Sequence, residues 1–214
     1  MQLDPRSTAV IAIDMHRGHL DPAVATLPLP AERCPGIIAR SRELFTSLRA
    51  LGVPVIHVVT KVRDTGETLA NPFWAAIADD PTKKRSGNRR HNVVGMPGCE
   101  VIPDLLDPAD LIVDTKKRYS VFEPTDLEFL LRRRLKTETV ILAGINTTSC
   151  VMCAAFEATN RDFRVVTAAD ACDTMDGPEM HAFGLRLMAN VTGWVMTNDE
   201  ILAAFGAAPV RKAS

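Results

Sequence analysis

The chain alternates short, largely apolar segments with segments of helical periodicity, and this alternation constrains its fold more than any other feature. Residues 8–14 (TAVIAID) and 53–60 (VPVIHVVT) have no helical period, as in strands buried on both faces of a parallel sheet. Between them, apolar residues from Ile37 to Leu51 recur at spacings of three, four and seven, and Gly52 follows where a helix would end. Strands that alternate with helices predict a doubly wound parallel sheet.

The same alternation continues to the last third of the chain. Further strands are predicted at DLIVDTK, TVILAG, FRVVTAAD and GWVMT, which makes six in total. Helices are predicted at about 126–135, 149–160 and 178–190, and a capping box of Thr125 and Glu128 opens the first of them. The sequence therefore predicts an α/β fold with a six-stranded parallel sheet.

The regular pattern is interrupted once, between Lys61 and Glu100. Proline and glycine are frequent there, and only one short helix, PFWAAIA, is predicted. Connections this long usually serve as lids, binding loops or subunit contacts. Because 214 residues suit one domain, we expect a single domain over 1–214 with a long insertion at about 61–100.

Composition and charge narrow the classes of partner. The formal net charge is -1, which gives no reason to expect nucleic acid or an anionic membrane as a partner. The first residues do not resemble a secretory leader and no apolar run approaches the length of a membrane span, so we expect a cytoplasmic protein. The five cysteines are irregularly spaced and are expected to be free thiols. A small-molecule substrate is the expected partner.

Three of the predicted strands end on residues that can do chemistry together. Asp14 ends the first strand, Lys116 ends the strand DLIVDTK, and Cys150 follows the strand TVILAG at a predicted helix start. In doubly wound sheets, ligands bind beyond the carboxyl ends of the strands. A helix N-terminus and a nearby cation both lower the pKa of a thiol, and a carboxylate can act as general base. The pattern indicates nucleophilic catalysis, although each residue taken singly also has an ordinary structural explanation.

The segments that carry these residues resemble the signature segments of the isochorismatase-like cysteine hydrolases. VIAIDMHRG, DTKKRYSVFEPTDL and VILAGINTTSCV occur in the family's order and at similar separations, and the likeness runs over nearly the whole chain. The most specific part is K-x-x-Y-S-x-F, which begins at Lys116, followed about thirty residues later by G-x-x-T-x-x-C-V, which begins at Gly144.

The resemblance implies a Rossmann-like three-layer αβα sandwich and a catalytic triad of Asp14, Lys116 and Cys150. The choice of Lys116 over the adjacent Lys117 depends on the family spacing to Tyr119.

The resemblance also implies a cis peptide bond between Ile145 and Asn146. The backbone N–H groups of Asn146 and Cys150 would then form an oxyanion hole. Within the same turn, Thr147 is a candidate for contact with substrate.

The family contains several kinds of hydrolase. Isochorismatases cleave a vinyl ether and do without the cysteine nucleophile, whereas amidases of the family cleave amide, carbamoyl or ureido bonds. The presence of Cys150 favours cleavage of a C–N bond through a thioester intermediate. The alternatives are a vinyl ether hydrolase and a non-catalytic module that binds a small ligand or a partner on the same fold.

Two missing motifs restrict the ligands further. Nicotinamidases carry a metal site with an Asp-x-His pair after the second strand, whereas this chain has HVVTKVRDTG there, with His57 but no such pair. We therefore expect no metal, and no other cofactor. Branches that bind a substrate carboxylate have an arginine after the fifth strand; ADACDTMDGPEMH has none, which favours an uncharged substrate. Arg118 is the alternative residue for a carboxylate.

Aromatic residues complete the predicted pocket. Trp74, in the insertion, either lines the pocket or packs at a subunit contact, and Tyr119 belongs to the lysine motif. Because homo-oligomers are common in the family, we expect a dimer or tetramer.

Overall fold

The computed structural model describes residues 1–206 and confirms the predicted parallel sheet. All pairings between its six strands are parallel, and the strand order is β3-β2-β1-β4-β5-β6. The strands are β1 (Thr8–Ile13), β2 (Val55–Thr60), β3 (Leu111–Lys116), β4 (Thr139–Ile145), β5 (Arg164–Asp173) and β6 (Trp194–Met196). Residues 207–214 of the predicted domain lie outside the described residues.

Helices cover both faces of the sheet, and short helices also lie in the connections. They are α1 (Arg17–Leu20), α2 (Cys34–Ala50), α3 (Thr65–Leu69), α4 (Pro72–Ile77), α5 (Leu127–Phe129), α6 (Met152–Thr159), α7 (Pro178–Val191) and α8 (Asn198–Ala204). Successive side chains of a strand point to opposite faces, and β1 follows this rule: Val10 packs in one apolar cluster with α2 and α8, and Ile11 in the other with α6. The arrangement is a three-layer sandwich with a core on each face.

The strand order reverses between β1 and β4. The chain moves outward from β1 to β3 on one side and from β4 to β6 on the other, so the two central strands define the switch point. Ile13 pairs with Gly144 at the carboxyl ends of these strands. In sheets of this topology the ends of the two central strands border the ligand crevice.

The structure differs from the sequence prediction at the helix expected over 126–135. Its α-helical part is short, and Leu130–Arg134 continues as a π-helix. The capping-box prediction is wrong: the Thr125 hydroxyl donates to the carbonyl of Val121, and the Glu128 carboxylate pairs with Arg161. Both side chains therefore make tertiary or turn contacts that replace the local cap.

The long connection after β2 folds back over the carboxyl ends of the strands. Val62 N–H donates to Asn92 O, and the Asn92 side chain donates to Thr60 O, so the end of this connection returns to the end of β2. Farther along, Arg85 pairs with Asp176, which follows β5. The connection thus covers the crevice at the switch point. Among the described residues, no helix has both the length and the apolar character needed to cross a membrane.

Gly144 gives a direct test of how closely β1 and β4 approach. Its φ is +133°, and a Cβ atom there would lie 2.0 Å from the carbonyl oxygen of Ile13. We expect Gly144→Ala to lower the free energy of unfolding by about 3 kcal/mol or more. The added Cβ would push β4 away from β1, and this cost adds to the backbone strain at a positive φ.

The matched control is Gly36→Ala, in α2, where the nearest atom is the mobile end of Arg40. Because alanine is favoured over glycine in a helix, this control should raise the free energy of unfolding by about 0.5–1 kcal/mol. Urea unfolding of both variants measures the difference, and equal stabilities would contradict the close approach.

Candidate active site

Three elements bring the predicted triad together beneath the long connection. Asp14 follows β1, Lys116 ends β3, and Cys150 lies in the π-helix Thr147–Val151, between β4 and α6. Since β2 lies between β1 and β3, the lysine side chain reaches across the end of β2 to the centre of the sheet. All three residues are buried, with exposed fractions of 1%, 1% and 7%.

The Lys116 ammonium is the centre of the contacts. Nζ donates to Asp14 Oδ2 at 2.6 Å, to Thr60 Oγ1 at 2.6 Å and to Cys150 Sγ at 3.4 Å, which uses its three hydrogens. The other carboxylate oxygen, Asp14 Oδ1, accepts from the N–H of Thr60 at 2.8 Å and from its hydroxyl at 2.9 Å. Thr60 therefore fixes both charged groups, a role that the sequence did not indicate.

The carboxylate and the ammonium are held ionised. Burial alone would raise the pKa of Asp14, but the charge and hydrogen bond of Lys116, together with nearby His16 and His19, outweigh burial and leave this pKa well below its usual range. Burial alone would lower the pKa of Lys116, but Asp14 and Cys150 raise it overall. The pair is therefore charged at neutral pH.

The thiol behaves differently from the sequence expectation. Burial raises the pKa of Cys150 to about 12, and the Lys116 ammonium opposes this only in part. The expected lowering by a cation and a helix N-terminus is thus outweighed by loss of hydration. In the resting site the thiol is protonated and needs a base within reach at the moment of attack.

The turn after β4 carries the cis peptide bond between Ile145 and Asn146 that the resemblance implied. Asn146 is buried, and its side-chain oxygen accepts from the N–H of Met175 at 2.9 Å. The pocket is bordered by Asn146 and Cys150, whose oxyanion-hole role stays a prediction. Thr147 does not line the pocket, in contrast to the sequence expectation: it is fully buried, and its hydroxyl bonds to Nδ1 of His181 at 2.9 Å.

The remaining predicted pocket residues do line the cavity above the thiol. Trp74 and Tyr119 meet edge to face with ring centroids 5.4 Å apart, and the Arg118 guanidinium lies 4.9 Å from the centroid of the Trp74 ring. Arg118 donates to the carbonyls of Lys117 and Glu67, and no salt bridge to it occurs within residues 1–206. It is a cation without a carboxylate partner at the pocket wall.

Sequence reasoning missed several residues of the pocket. Arg85, Asn88 and His91 come from the long connection. Their segments have no periodicity that predicts which side chains face inward. Their residue types, and their position in a connection long enough to be a lid, were the only indications of a role at the pocket.

Three histidines lie together at one side of this pocket. The ring centroids of His16 and His19 are 4.7 Å apart, and His91 lies 5.3 Å and 4.6 Å from them. Burial lowers the pKa of His16 to about 3, of His19 to about 4, and of His91 well below its usual value. One ring nitrogen from each lies within 4.8 Å of the others, so these neutral rings could hold a metal ion.

The buried pair of Asp14 and Lys116 generates a stability test. Asp14→Asn or Lys116→Met should each destabilise by about 3–5 kcal/mol, because the remaining charge is buried without its partner. The double variant should be more stable than either single variant, since it removes both charges. Urea denaturation of the four proteins measures this, and additive losses would mean that the two charges do not interact.

The histidine cluster generates a pH dependence. An unfolded histidine takes up a proton below its usual pKa of 6.5, whereas buried His16 and His19 resist protonation down to about pH 3 and pH 4. The contribution of these histidines to the free energy of unfolding is therefore fully present above pH 6.5. It falls as the pH drops toward 4, by up to about 2 kcal/mol per histidine between pH 7.5 and 5.

Urea unfolding at these two pH values measures the loss, and His19→Gln should reduce it. A loss of stability that is the same in wild type and His19→Gln would argue against the cluster as its source.

Comparisons with known proteins agree with this fold. The isochorismatase domain model matches residues 8–200. An uncharacterized isochorismatase family protein of Escherichia coli O157:H7 is 30% identical over 206 residues, which cover 95% of this chain and 99% of the relative. A ureidoacrylate amidohydrolase of Methylobacterium radiotolerans is 26% identical over 214 residues, with coverage of 95% and 81%.

A solved structure extends the comparison. The crystal structure of a cysteine hydrolase from Pseudomonas syringae pv. phaseolicola 1448A has a TM-score of 0.79 and 26% identity, and covers 96% of this chain and 95% of its own. The resemblance based on the three sequence segments is confirmed. The chain belongs to the isochorismatase family of hydrolases.

Proposed function

We propose that the protein is a cysteine hydrolase that cleaves a C–N amide, carbamoyl or ureido bond of a small molecule through a Cys150 thioester. The observation that carries this proposal is the contact of one buried ammonium with both a carboxylate and a thiol, Lys116 Nζ with Asp14 and Cys150. A covalent cycle needs a nucleophile, a base and a cation to stabilise the thiolate, and these residues supply all three.

The first half of the cycle begins with the protonated thiol. Asp14 accepts the proton of Cys150 as Sγ attacks the substrate carbonyl, and the Lys116 ammonium stabilises the sulfur as charge develops on it. The carbonyl oxygen becomes an oxyanion, for which the N–H groups of Asn146 and Cys150 are the proposed donors. When the C–N bond breaks, Asp14 returns the proton to the leaving nitrogen, and a thioester with Cys150 remains.

The second half uses the same groups with water. Asp14 removes a proton from a water molecule that attacks the thioester carbonyl, the C–S bond breaks, and the thiol of Cys150 regains the proton. Ammonia or an amine leaves in the first half and the acid in the second. One base therefore serves both halves, with no requirement for a histidine.

Charge at the pocket wall bears on the substrate. The loop after β5 contributes no arginine, which favours an uncharged substrate. However, Arg118 lines the cavity and has no carboxylate partner among residues 1–206, and guanidinium groups bind carboxylates well. A relative named ureidoacrylate amidohydrolase supports a C–N bond as the target. Candidate substrates are therefore tested as pairs that differ only in a carboxylate and its methyl ester.

The alternative, a non-catalytic module that binds a small ligand, also has an observation in its favour. The pKa of about 12 leaves the Cys150 thiol protonated and unreactive unless substrate binding brings the base into play. A vinyl ether hydrolase is the other alternative. A homo-oligomer and a cytoplasmic location stay predictions.

The test measures ammonia release from a panel of small amides, which contains carbamoyl compounds, ureido compounds, maleamic acids and pyridine carboxamides. Wild type should release ammonia from at least one class, and Cys150→Ala should lose at least about 10³-fold in kcat/KM because it lacks the nucleophile. The matched control is Cys153→Ala, which removes a half-buried thiol one turn farther along and should retain activity.

Rapid-quench mass spectrometry should detect the acyl group on Cys150 of the wild type. Ketone release from a vinyl ether that persists in Cys150→Ala would identify the vinyl ether hydrolase. Binding without turnover, detected by quenching of Trp74 fluorescence, would identify the non-catalytic module.

A further inference from the structure

The cluster of His16, His19 and His91 has no part in the proposed covalent cycle. His16 comes from the loop after β1, His19 from α1, and His91 from the long connection. None of them stands directly after β2, where the family resemblance located the metal ligands of nicotinamidases. The described residues form one histidine cluster of this kind, and it arises from different segments.

Two of the rings are oriented by outer hydrogen bonds. Nδ1 of His19 lies 2.6 Å from the carbonyl oxygen of Leu27, which can only accept, so Nδ1 carries the hydrogen and Nε2 has a free lone pair. Nδ1 of His91 lies 2.9 Å from the hydroxyl of Thr26. A metal-binding histidine characteristically donates its other ring N–H in this way, which fixes the tautomer and the ring direction.

His16 contains a buried polar atom without a partner. Its Nδ1 makes no hydrogen bond to the described part of the chain, while its Nε2 accepts from the Asn92 amide at 2.7 Å. Asn92 Oδ1 is also buried and unpaired. If Nδ1 binds an ion, the ring hydrogen moves to Nε2. A half-turn of the amide then makes Oδ1 its acceptor, at the cost of the bond from Asn92 to Thr60 O. His16 Nδ1 and Asn92 Oδ1 would then each have a partner, while the Asn92 amide nitrogen would give up its bonds to His16 and Thr60.

Nearby charges do not oppose a cation. Lys116 is paired with Asp14 and Arg85 with Asp176, so the two positive groups that face the cluster are each offset. The Asp14 carboxylate also lies 3.7 Å from Nε2 of His16. Burial keeps the imidazoles neutral, which is the form that binds metal.

We propose that His16, His19 and His91 bind one first-row transition-metal dication, of the class of Zn²⁺, and leave a ligand position open to the pocket. Imidazole donors suit Zn²⁺, Ni²⁺, Cu²⁺ and Fe²⁺, and three protein ligands with one open position are typical of metal sites that receive a small ligand. The nitrogens must close from within 4.8 Å to about 3.4 Å for tetrahedral geometry. His91, the least buried of the three, lies on the long connection and would have to move to bring the three nitrogens closer. This proposal replaces the sequence expectation of no metal.

The experiment is a titration of the chelator-treated full-length protein with Co²⁺ at pH 7. We expect one ion per chain, with the visible absorption of cobalt bound to nitrogen and without the near-ultraviolet band of a thiolate ligand. His91→Gln and His19→Gln should each weaken Co²⁺ binding at least about 100-fold, since loss of outer partners alone costs 10–100-fold. His181→Gln, a histidine outside the cluster, and Cys150→Ser should bind as wild type does.

A second readout is thermal stability, since Zn²⁺ that binds the folded protein should raise the Tm of wild type and not of His91→Gln. The proposal is overturned if wild type takes up no stoichiometric metal. It is equally overturned if His91→Gln and His19→Gln bind normally, or if a thiolate band appears and is lost in Cys150→Ser. Because these readouts do not depend on turnover, they are independent of the proposed hydrolysis.

Discussion

The ion pair of Lys116 and Asp14 is the interaction on which the arrangement of the site depends. Taking an ammonium and a carboxylate out of water costs several kcal/mol per ion, and only close pairing with further hydrogen bonds offsets that cost. Here the Nζ–Oδ2 distance is 2.6 Å, and Thr60 bonds to both groups. The carboxyl ends of β1, β2 and β3 must therefore keep a fixed register, because a shift of any one of them would leave a buried charge unpaired.

The thiol is the third part of this arrangement and has a different constraint. Cys150 comes from the other half of the sheet, after β4, so its distance from Lys116 depends on how closely β1 and β4 pair. Gly144 permits that approach because it has no Cβ to meet the Ile13 carbonyl. The topological switch point thus determines where the thiol lies, while the ion pair determines which charges it meets.

Sequence reasoning predicted the sheet, its six strands and the three residues that meet above it. These predictions succeeded because apolar runs identify buried strands locally, and parallel strands bring their carboxyl ends to one edge. Sequence reasoning failed where side-chain contacts and burial depend on the tertiary structure. Thr147 bonds to His181 and does not line the pocket, and Thr125 and Glu128 form no capping box. Burial raises the pKa of Cys150 more than Lys116 lowers it. The histidine cluster joins residues from the loop after β1, α1 and the long connection, and no local sequence pattern predicts that these side chains are in contact.

The triad and the histidine cluster share one carboxylate, and this joins two parts of the pocket that the chain builds separately. Asp14 lies 2.6 Å from Lys116 on one side and 3.7 Å from His16 on the other. Charge near His16 therefore acts on the same group that must accept the Cys150 proton. Neutral rings leave Lys116 as the charged partner of Asp14, which is the state of the resting site. Positive charge in the cluster would make Asp14 a weaker base and would lower the pKa of the Cys150 thiol. The balance between a protonated thiol and a nucleophilic one is thus a property of the whole pocket wall, including the connection that carries His91.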